Sequence, residues 1–232
     1  MAASKSSKTV HRIRLGQEIA YLLAILLMAI GVAMTERAGL GMSMIVAPAY
    51  LLSLVTGLGF GTMEYLVQGA LLIVMILVLR RFRISYLFSF LTAFVYGLAL
   101  DGILYLMRGV SVELLAFRIL WFVVGSLIVG FSVALFFRVY LAPAVYDLFV
   151  REVARRYSLS FGRFKTCFDL TAAVISVLLS FLFFGFLTFR GIGWGTIVLA
   201  VANGPIIAFF GRWIDRKFEL YPMLPFEKYF RT

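Results

Sequence analysis

Long apolar segments alternate with short basic ones along almost the whole chain. Six of the apolar segments approach the length of about 20 residues that a helix needs to cross a bilayer. They cover residues 19–34, 62–79, 84–107, 113–137, 168–189 and 194–210. The pattern predicts an all-α fold, a polytopic transmembrane helix bundle of about six spans within residues 17–217.

A seventh apolar segment, residues 41–57, is shorter and more broken than the six spans. Pro48 lies near its middle, and glycines follow its end at 57–61. Lys and Arg collect on the cytoplasmic side of membrane proteins, which places the basic tail 1–16 and the cluster 80–83 on one side. Only one net crossing then separates them, so a re-entrant segment is favoured. A full span is the alternative.

The polar segments outside the spans carry three further predictions. Residues 1–16 are predicted to be a disordered cytoplasmic tail, and residues 218–232 an irregular cytoplasmic C-terminal tail. Residues 143–157 are predicted to form an amphipathic helix on the anionic inner leaflet, because arginines fall off its apolar stripe. The stripe consists of Val145, Leu148, Phe149 and Val153.

Two glycine-rich segments, residues 38–46 and 190–198, resemble each other. Aligned without gaps, they match at Gly39 and Gly191, Gly41 and Gly193, Ile45 and Ile197, and Val46 and Val198. We interpret the match as a weak internal repeat with both copies at the outer face. The first copy leads into the re-entrant segment and the second into the sixth span. The backbone at Gly39, Gly41, Gly191, Gly193 and Gly195 is a candidate binding element.

Composition agrees with a membrane protein, since 63% of the 232 residues are hydrophobic, 14% are charged and the mean hydropathy is +1.02. The net charge of +11 is spread between apolar runs, which argues against a nucleic-acid partner. We predict that the lipid bilayer is the main partner, in a bacterial inner membrane with both termini cytoplasmic. The sequence leaves an oligomer possible.

Two opposite charges interrupt the third and fourth spans. Asp101 and Arg118 each lie seven residues from the outer turn, roughly 10 Å below the outer end at about 1.5 Å per residue. An ionisable residue in a span needs a partner or a purpose. Equal depth permits an ion pair, either as a structural bridge or as a shared site for a substrate or ion.

We predict that Asp101 and Arg118, with the glycine segments, line an outward-facing polar cavity, and three more polar residues are candidates for the site. Glu64 and Gln68 are four residues apart on one face of the second span, so they could line a cavity or form a solvated helix start. Asn203 precedes Gly204 and Pro205 near the middle of the sixth span. That position predicts either an unwound segment with free carbonyls or a packed kink.

The sequence lacks the residues for catalysis or metal binding. It has one histidine, His11, and one cysteine, Cys167. One histidine and one cysteine cannot supply a zinc ligand set or a Ser/His or Cys/His catalytic set. The sequence also shows no paired carboxylates of the kind used in catalysis. We therefore predict no catalytic residue, no metal, no cofactor and no enzyme activity.

Several short motifs follow one another along the chain: the glycine segments 38–41 and 191–196, residues 54–57 with 61–62, Asp101, residues 161–165 with 169–170, and residues 203–205. Their order and spacing resemble the YczE/YitT family of bacterial integral membrane proteins, most closely its YczE branch. Members are described only as membrane or transport proteins. The resemblance and the polar residues together favour a small-molecule or ion transporter, or a channel-like protein. The alternative is a non-transport scaffold or accessory factor for a lipid- or peptide-producing system, docking through 143–157.

Overall fold

The computed structural model describes residues 13–185 and 191–223, and this part of the chain is almost entirely helical. Its elements, in chain order, are β1 (Ile13–Gly16), α1 (Gln17–Ala38), α2 (Ala47–Thr56), α3 (Phe60–Leu79), α4 (Ile84–Leu106), α5 (Leu115–Phe136), α6 (Val145–Arg156), α7 (Phe161–Phe184), α8 (Trp194–Lys217) and β2 (Phe218–Tyr221). Six of these helices, all except α2 and α6, are long and apolar enough to cross a membrane. The predicted all-α polytopic bundle with six spans is confirmed.

Contacts along the long helices establish their relative directions. At one end of the α1–α5 pair Ser132 donates to the carbonyl of Ala24, and at the other end Arg118 reaches Ala38, so the two helices are antiparallel. Helix α4 runs antiparallel to α3 and parallel to α1, and α8 runs parallel to α5. The bundle therefore has two ends. The basic end carries the strands and residues 80–83, and the glycine end carries residues 39–46, 57–61 and 191–193.

The bundle is an inverted repeat of two four-helix halves. The order long, short, long, long occurs in α1–α4 and again in α5–α8, and the first helices of the two halves are antiparallel. They approach each other most closely where Gly31 and Gly125 face one another. Helix α2 contacts α3 and α7, and α6 likewise contacts both. The second half thus repeats the order of the first, turned over in the membrane, except that α7 does not pack along α8 as α3 packs along α4.

Two short motifs mark this repeat in the sequence. The tripeptide Ala-Pro-Ala opens α2 at 47–49 and precedes α6 at 142–144. Leu-Gly-Phe-Gly at 58–61 corresponds to Leu-Ser-Phe-Gly at 159–162, where α3 and α7 begin. The residues before these motifs, Gly57 (φ 74°) and Ser158 (φ 53°), are both left-handed. Each half therefore makes the same turn between its short helix and the next span.

The repeat predicted from the two glycine segments has the wrong register. The first segment lies before α2 and the second before α8, which are not equivalent positions. They meet in space instead: the amide of Met42 donates to the carbonyl of Gly191 at 3.0 Å, and that of Gly195 donates to Leu40 at 2.8 Å. A Cβ at Gly193 would overlap the Leu40 carbonyl. The segments share glycines because each must admit the other's backbone; Arg190 lies outside the described residues.

Helix α2 confirms the re-entrant prediction for 41–57 and excludes a full span. Its 10 residues extend roughly 15 Å, about half the hydrocarbon thickness. Helices α1 and α3 are antiparallel, so α1 ends and α3 begins at the glycine end. The chain between them therefore enters and leaves the bundle at that end.

Helix α6 corrects the prediction of a surface helix at 143–157. Val145, Leu148 and Val153 are buried against α3, α4 and α7 rather than directed to the leaflet. The helix begins beside Gln68 in the middle of α3 and ends beside Val78, near the basic end. An apolar stripe has the same period whether it faces lipid or protein, so periodicity alone gave the wrong surface.

The described parts of the two tails, residues 13–16 and 218–223, are more ordered than predicted. Strand β1, within the tail 1–16, pairs in parallel with β2, within the tail 218–232. Gln17 accepts from the amide of Tyr140 at 2.9 Å, which joins the strand pair to the end of α5. Residues 1–12 and 224–232 lie outside the described part of the chain.

The equivalent glycines of the two halves provide a matched test of the fold. A methyl group at Gly61 would overlap the carbonyl of Gly97, whereas one at Gly162 would meet no atom within 4 Å. We expect Gly61→Ala to lower the free energy of unfolding by about 1–3 kcal/mol, the usual cost of overpacking. Gly162→Ala should leave it unchanged or raise it slightly, because alanine favours a helix more than glycine does. Unfolding of the purified variants in mixed micelles measures both, and equal losses would contradict this packing of α3 on α4.

Candidate functional site

Asp101 binds the first turn of α3. Its carboxylate accepts hydrogen bonds from the amides of Gly61 at 2.6 Å and Thr62 at 2.8 Å, and from the Thr62 hydroxyl at 2.7 Å. These amides have no partner within their own helix, and the positive end of the helix dipole favours a negative charge there. Asp101 therefore caps α3 from the neighbouring helix α4.

Arg118 performs the opposite role at the end of α1. Its Nε donates to the carbonyl of Ala38 at 2.7 Å, and its Nη2 donates to that of Gly39 at 2.8 Å. Gly39 is left-handed (φ 61°) and ends the helix. The predicted ion pair between Asp101 and Arg118 is therefore wrong. Unsatisfied backbone groups at two different helix ends lie closer to each charge than the other charge does.

The predicted pair Glu64 and Gln68 is buried inside the bundle, which excludes a solvated helix start. Each side chain is 1% exposed. Gln68 Nε2 donates to Glu64 Oε1 at 3.4 Å, and Gln68 Oε1 accepts from the amide of Val145 at 3.0 Å. Two tyrosines, Tyr96 on α4 and Tyr146 on α6, complete the group. We call these four residues the Glu64 centre.

Three polar atoms of the Glu64 centre are buried without a well-aligned hydrogen bond in the described part of the chain, although the Tyr146 hydroxyl lies close enough to the Glu64 carboxylate to interact with it. They are Glu64 Oε2 and the hydroxyls of Tyr96 and Tyr146. No ion pair joins Glu64 to a described side chain. Buried polar groups of this kind are rare, and a bound water, ion or proton is the usual explanation.

The Glu64 centre lies in the interior of the membrane-spanning region. Glu64 and Gln68 lie roughly 6 and 12 Å along α3 from the glycine end, at about 1.5 Å per residue. The first amide of α6 reaches Gln68 from the basic end. The positive end of the α6 dipole is therefore directed into the bundle, beside a carboxylate.

A cavity of about 420 Å³ lies beside α6 at the basic end, and none of the four residues of the Glu64 centre lines it. It is lined by the loop that precedes α6, including Tyr140, Ala142 and Pro143, and by Asp147 and the exposed Arg151 on α6. Its inner wall is fixed, because Ser89 donates to the carbonyl of Pro143 at 2.7 Å. Pro143 lies two residues before Val145, the residue that binds Gln68.

Asp147 and Glu152 are the acidic residues that line this cavity, and Arg151 is its basic one. Burial raises the pKa of Asp147, and the Lys165 ammonium, 3.7 Å away, offsets part of the rise. Lys165 also binds Asp169 at 2.9 Å within α7. The cavity is therefore lined by both signs of charge.

The remaining predicted site residues lie apart from the Glu64 centre. Asn203 belongs to α8, which packs on α5, and α8 continues as a helix through Pro205. The unwound segment at 203–205 is therefore not formed. The glycine segments pack against each other at the glycine end. Sequence reasoning missed Tyr96 and Tyr146, although the repeated Ala-Pro-Ala motif, followed closely by a tyrosine in both copies, marked the second.

The separate roles of Asp101 and Arg118 predict additive substitution effects. We expect Asp101→Asn and Arg118→Gln each to lower the free energy of unfolding by about 1–3 kcal/mol, because each removes charge-assisted hydrogen bonds to a helix end. The double variant should lose the sum to within about 0.5 kcal/mol. Titration with sodium dodecyl sulfate, followed by circular dichroism, measures all three. A coupling energy above about 1 kcal/mol would instead indicate direct pairing.

Comparison with known proteins identifies the family of this chain but no activity for that family. No curated protein matches the chain, and no solved structure matches it. The model of a family of unknown function, DUF6198, matches residues 15–212, which extend from β1 into the last turns of α8. That match does not name YczE/YitT, so the resemblance stays a prediction. Because the match covers most of the chain, the protein belongs to the family of unknown function DUF6198.

Proposed function

We propose that the protein is a small transporter that binds a cation or a coupling proton at Glu64. The observation that carries this proposal is the buried Glu64 carboxylate, which forms no ion pair in the described part of the chain and has only Gln68 and tyrosine hydroxyls as its polar neighbours. Ionisable residues inside a membrane bundle are costly and are typical of substrate, ion and proton pathways.

Charge balance identifies the class of ligand. A buried carboxylate without a neutralising partner costs several kcal/mol, so its charge must be balanced by a proton or a cation. No described arginine or lysine forms an ion pair with Glu64. The hydroxyls of Tyr96 and Tyr146 supply neutral oxygen atoms beside it. One charge with neutral oxygen ligands suits a proton, a monovalent metal ion or a small organic ammonium group.

The architecture supports transport over a static role. Inverted repeats with binding groups near the midplane and interrupted helices are the common plan of secondary transporters. In this chain α2 enters from the glycine end, α6 enters from the basic end, and both contact α3, which carries Glu64. Movement of either short helix would expose the Glu64 centre to one side only.

Positive residues support an orientation for this transporter. The arginines of 80–83, Arg138 and the end of α8 all lie at the basic end. The positive-inside rule then orients the basic end towards the cytoplasm of a bacterial inner membrane, with both termini on that side. The 420 Å³ cavity would open inwards.

Chemical labelling tests the carboxyl group without knowledge of the substrate. Dicyclohexylcarbodiimide is apolar and reacts with carboxyl groups inside membrane proteins. We expect it to modify Glu64 in the purified protein and expect the transported cation to slow the reaction. Peptide mass spectrometry locates the adduct, with Glu64→Gln as the blank. A labelling rate of Glu64 that stays the same at every concentration of protons, Na⁺, K⁺ or amine would contradict a cation site.

Flux measurements test transport itself. Vesicles containing the protein, under a K⁺ potential imposed with valinomycin, should take up H⁺, Na⁺ or a small amine faster than empty vesicles; K⁺ uptake is measured without valinomycin. Glu64→Gln should reduce that flux roughly tenfold or more, because an unpaired charge inside the bundle costs well over 1.4 kcal/mol. The exposed Glu113 provides the matched control, Glu113→Gln, which should transport normally. Equal flux through wild type and Glu64→Gln would rule the proposal out.

A further inference from the structure

A second cavity, separate from the Glu64 centre, lies at the basic end. Its volume is about 220 Å³, and it lies between the α3–α4 turn and the end of α6. Six of its lining residues are polar: Arg81, Arg83, Tyr86, Glu152, Arg155 and Arg156. The turn depends on Arg80, which is left-handed (φ 49°) and ends α3. We call this cavity the arginine pocket.

The positive charge of the arginine pocket exceeds what its single carboxylate can balance. Glu152 binds Arg155 at 3.2 Å and lies 3.9 Å from Arg83, and it also accepts from the Tyr86 hydroxyl at 3.4 Å. One buried glutamate thus holds two of the four arginines. Arg81 and Arg156 are exposed and form no ion pair with a described residue. Two guanidinium groups therefore remain available to an anion.

The surroundings of the arginine pocket indicate where that anion comes from. Phe82 and Ile84 alternate with the pocket arginines and are 56% and 70% exposed, and Leu77 on the preceding turn is 69% exposed. Such apolar surface on a spanning bundle faces acyl chains. The pocket therefore lies where the lipid-facing surface ends, which is the depth of the phospholipid phosphates. Guanidinium groups bind phosphate oxygens in bidentate geometry, and basic pockets between helices bind anionic head groups.

We propose that the arginine pocket binds the phosphate of an anionic phospholipid, with Arg81 and Arg156 as the main ligands. Glu152 has a positioning role, since it holds Arg83 and Arg155 at the wall. The bound lipid would link the α3–α4 turn to α6, the short helix whose other end reaches Gln68. Binding of the head group would therefore act on the helix that closes the Glu64 centre from the basic end.

Native mass spectrometry tests the pocket on the full-length protein in detergent. The probes are phosphatidylglycerol, phosphatidylcholine as the zwitterionic comparison, and inorganic phosphate as the soluble source of the same group. We expect wild type to retain phosphatidylglycerol in preference to phosphatidylcholine. Arg81→Gln with Arg156→Gln should weaken retention about 30-fold, since the loss of each direct guanidinium–phosphate contact costs roughly a factor of five.

A second double variant separates a pocket from general surface charge. Arg212→Gln with Arg216→Gln removes the same charge from exposed positions of α8 at the same end of the bundle, outside the pocket. Phosphatidylglycerol retention should be unchanged in it. Equal losses in the two double variants, or no loss in either, would overturn the proposal. Displacement of the lipid by millimolar phosphate would contradict the proposal that the bound phosphate belongs to a lipid. If the pocket double variant misfolds, Arg81→Gln and Arg156→Gln alone should each give about a fivefold loss.

Discussion

The structure depends on the partners that its helix ends find inside an apolar bundle. A helix leaves backbone amides free at its start and carbonyls free at its end, and lipid offers them no hydrogen bond. Here α1 ends on Arg118, α3 starts on Asp101 and α6 starts on Gln68. Each of these side chains comes from a different helix than the end that it binds. The polar residues of the spans therefore stabilise the breaks that permit two short helices to enter the bundle.

Glu64 differs from these residues in that it serves no helix end. It lies one turn from Gln68 on the same face of α3, and its polar neighbours are Gln68 and tyrosine hydroxyls rather than a helix end or an opposite charge. Asp101, Arg118 and Gln68 each have a structural role at a helix end, whereas Glu64 has none. Two cavities lie beside α6 at the basic end, and Glu152 lines both. Helix α6 borders both, so it connects the two proposed sites.

Helix α6 also shows where sequence reasoning was limited. Its position, length and apolar stripe were predicted correctly. The surface that the stripe contacts was not, because the lipid leaflet and the α3 face formed by Leu72, Met75 and Leu79 are both apolar. The two glycine segments are similar in sequence, but they do not occupy equivalent positions in the two halves. They match because they contact each other, while the equivalent positions of the two halves are marked by Ala-Pro-Ala and by the Phe-Gly pair at 60–61 and 161–162.

The sequence by itself determined the six spans, the re-entrant α2, the helix at α6 and the pairing of Glu64 with Gln68 on one face. These follow from hydrophobicity and helical period, which are local properties of the chain. Only the tertiary structure decided that Asp101 and Arg118 bind separate helix ends, that α8 remains helical through Pro205, and that Tyr96 and Tyr146 join Glu64. Depth along a helix can be counted from sequence. The rotation of each helix about its axis, which selects the side chains that meet, is set by the packing of all the helices together.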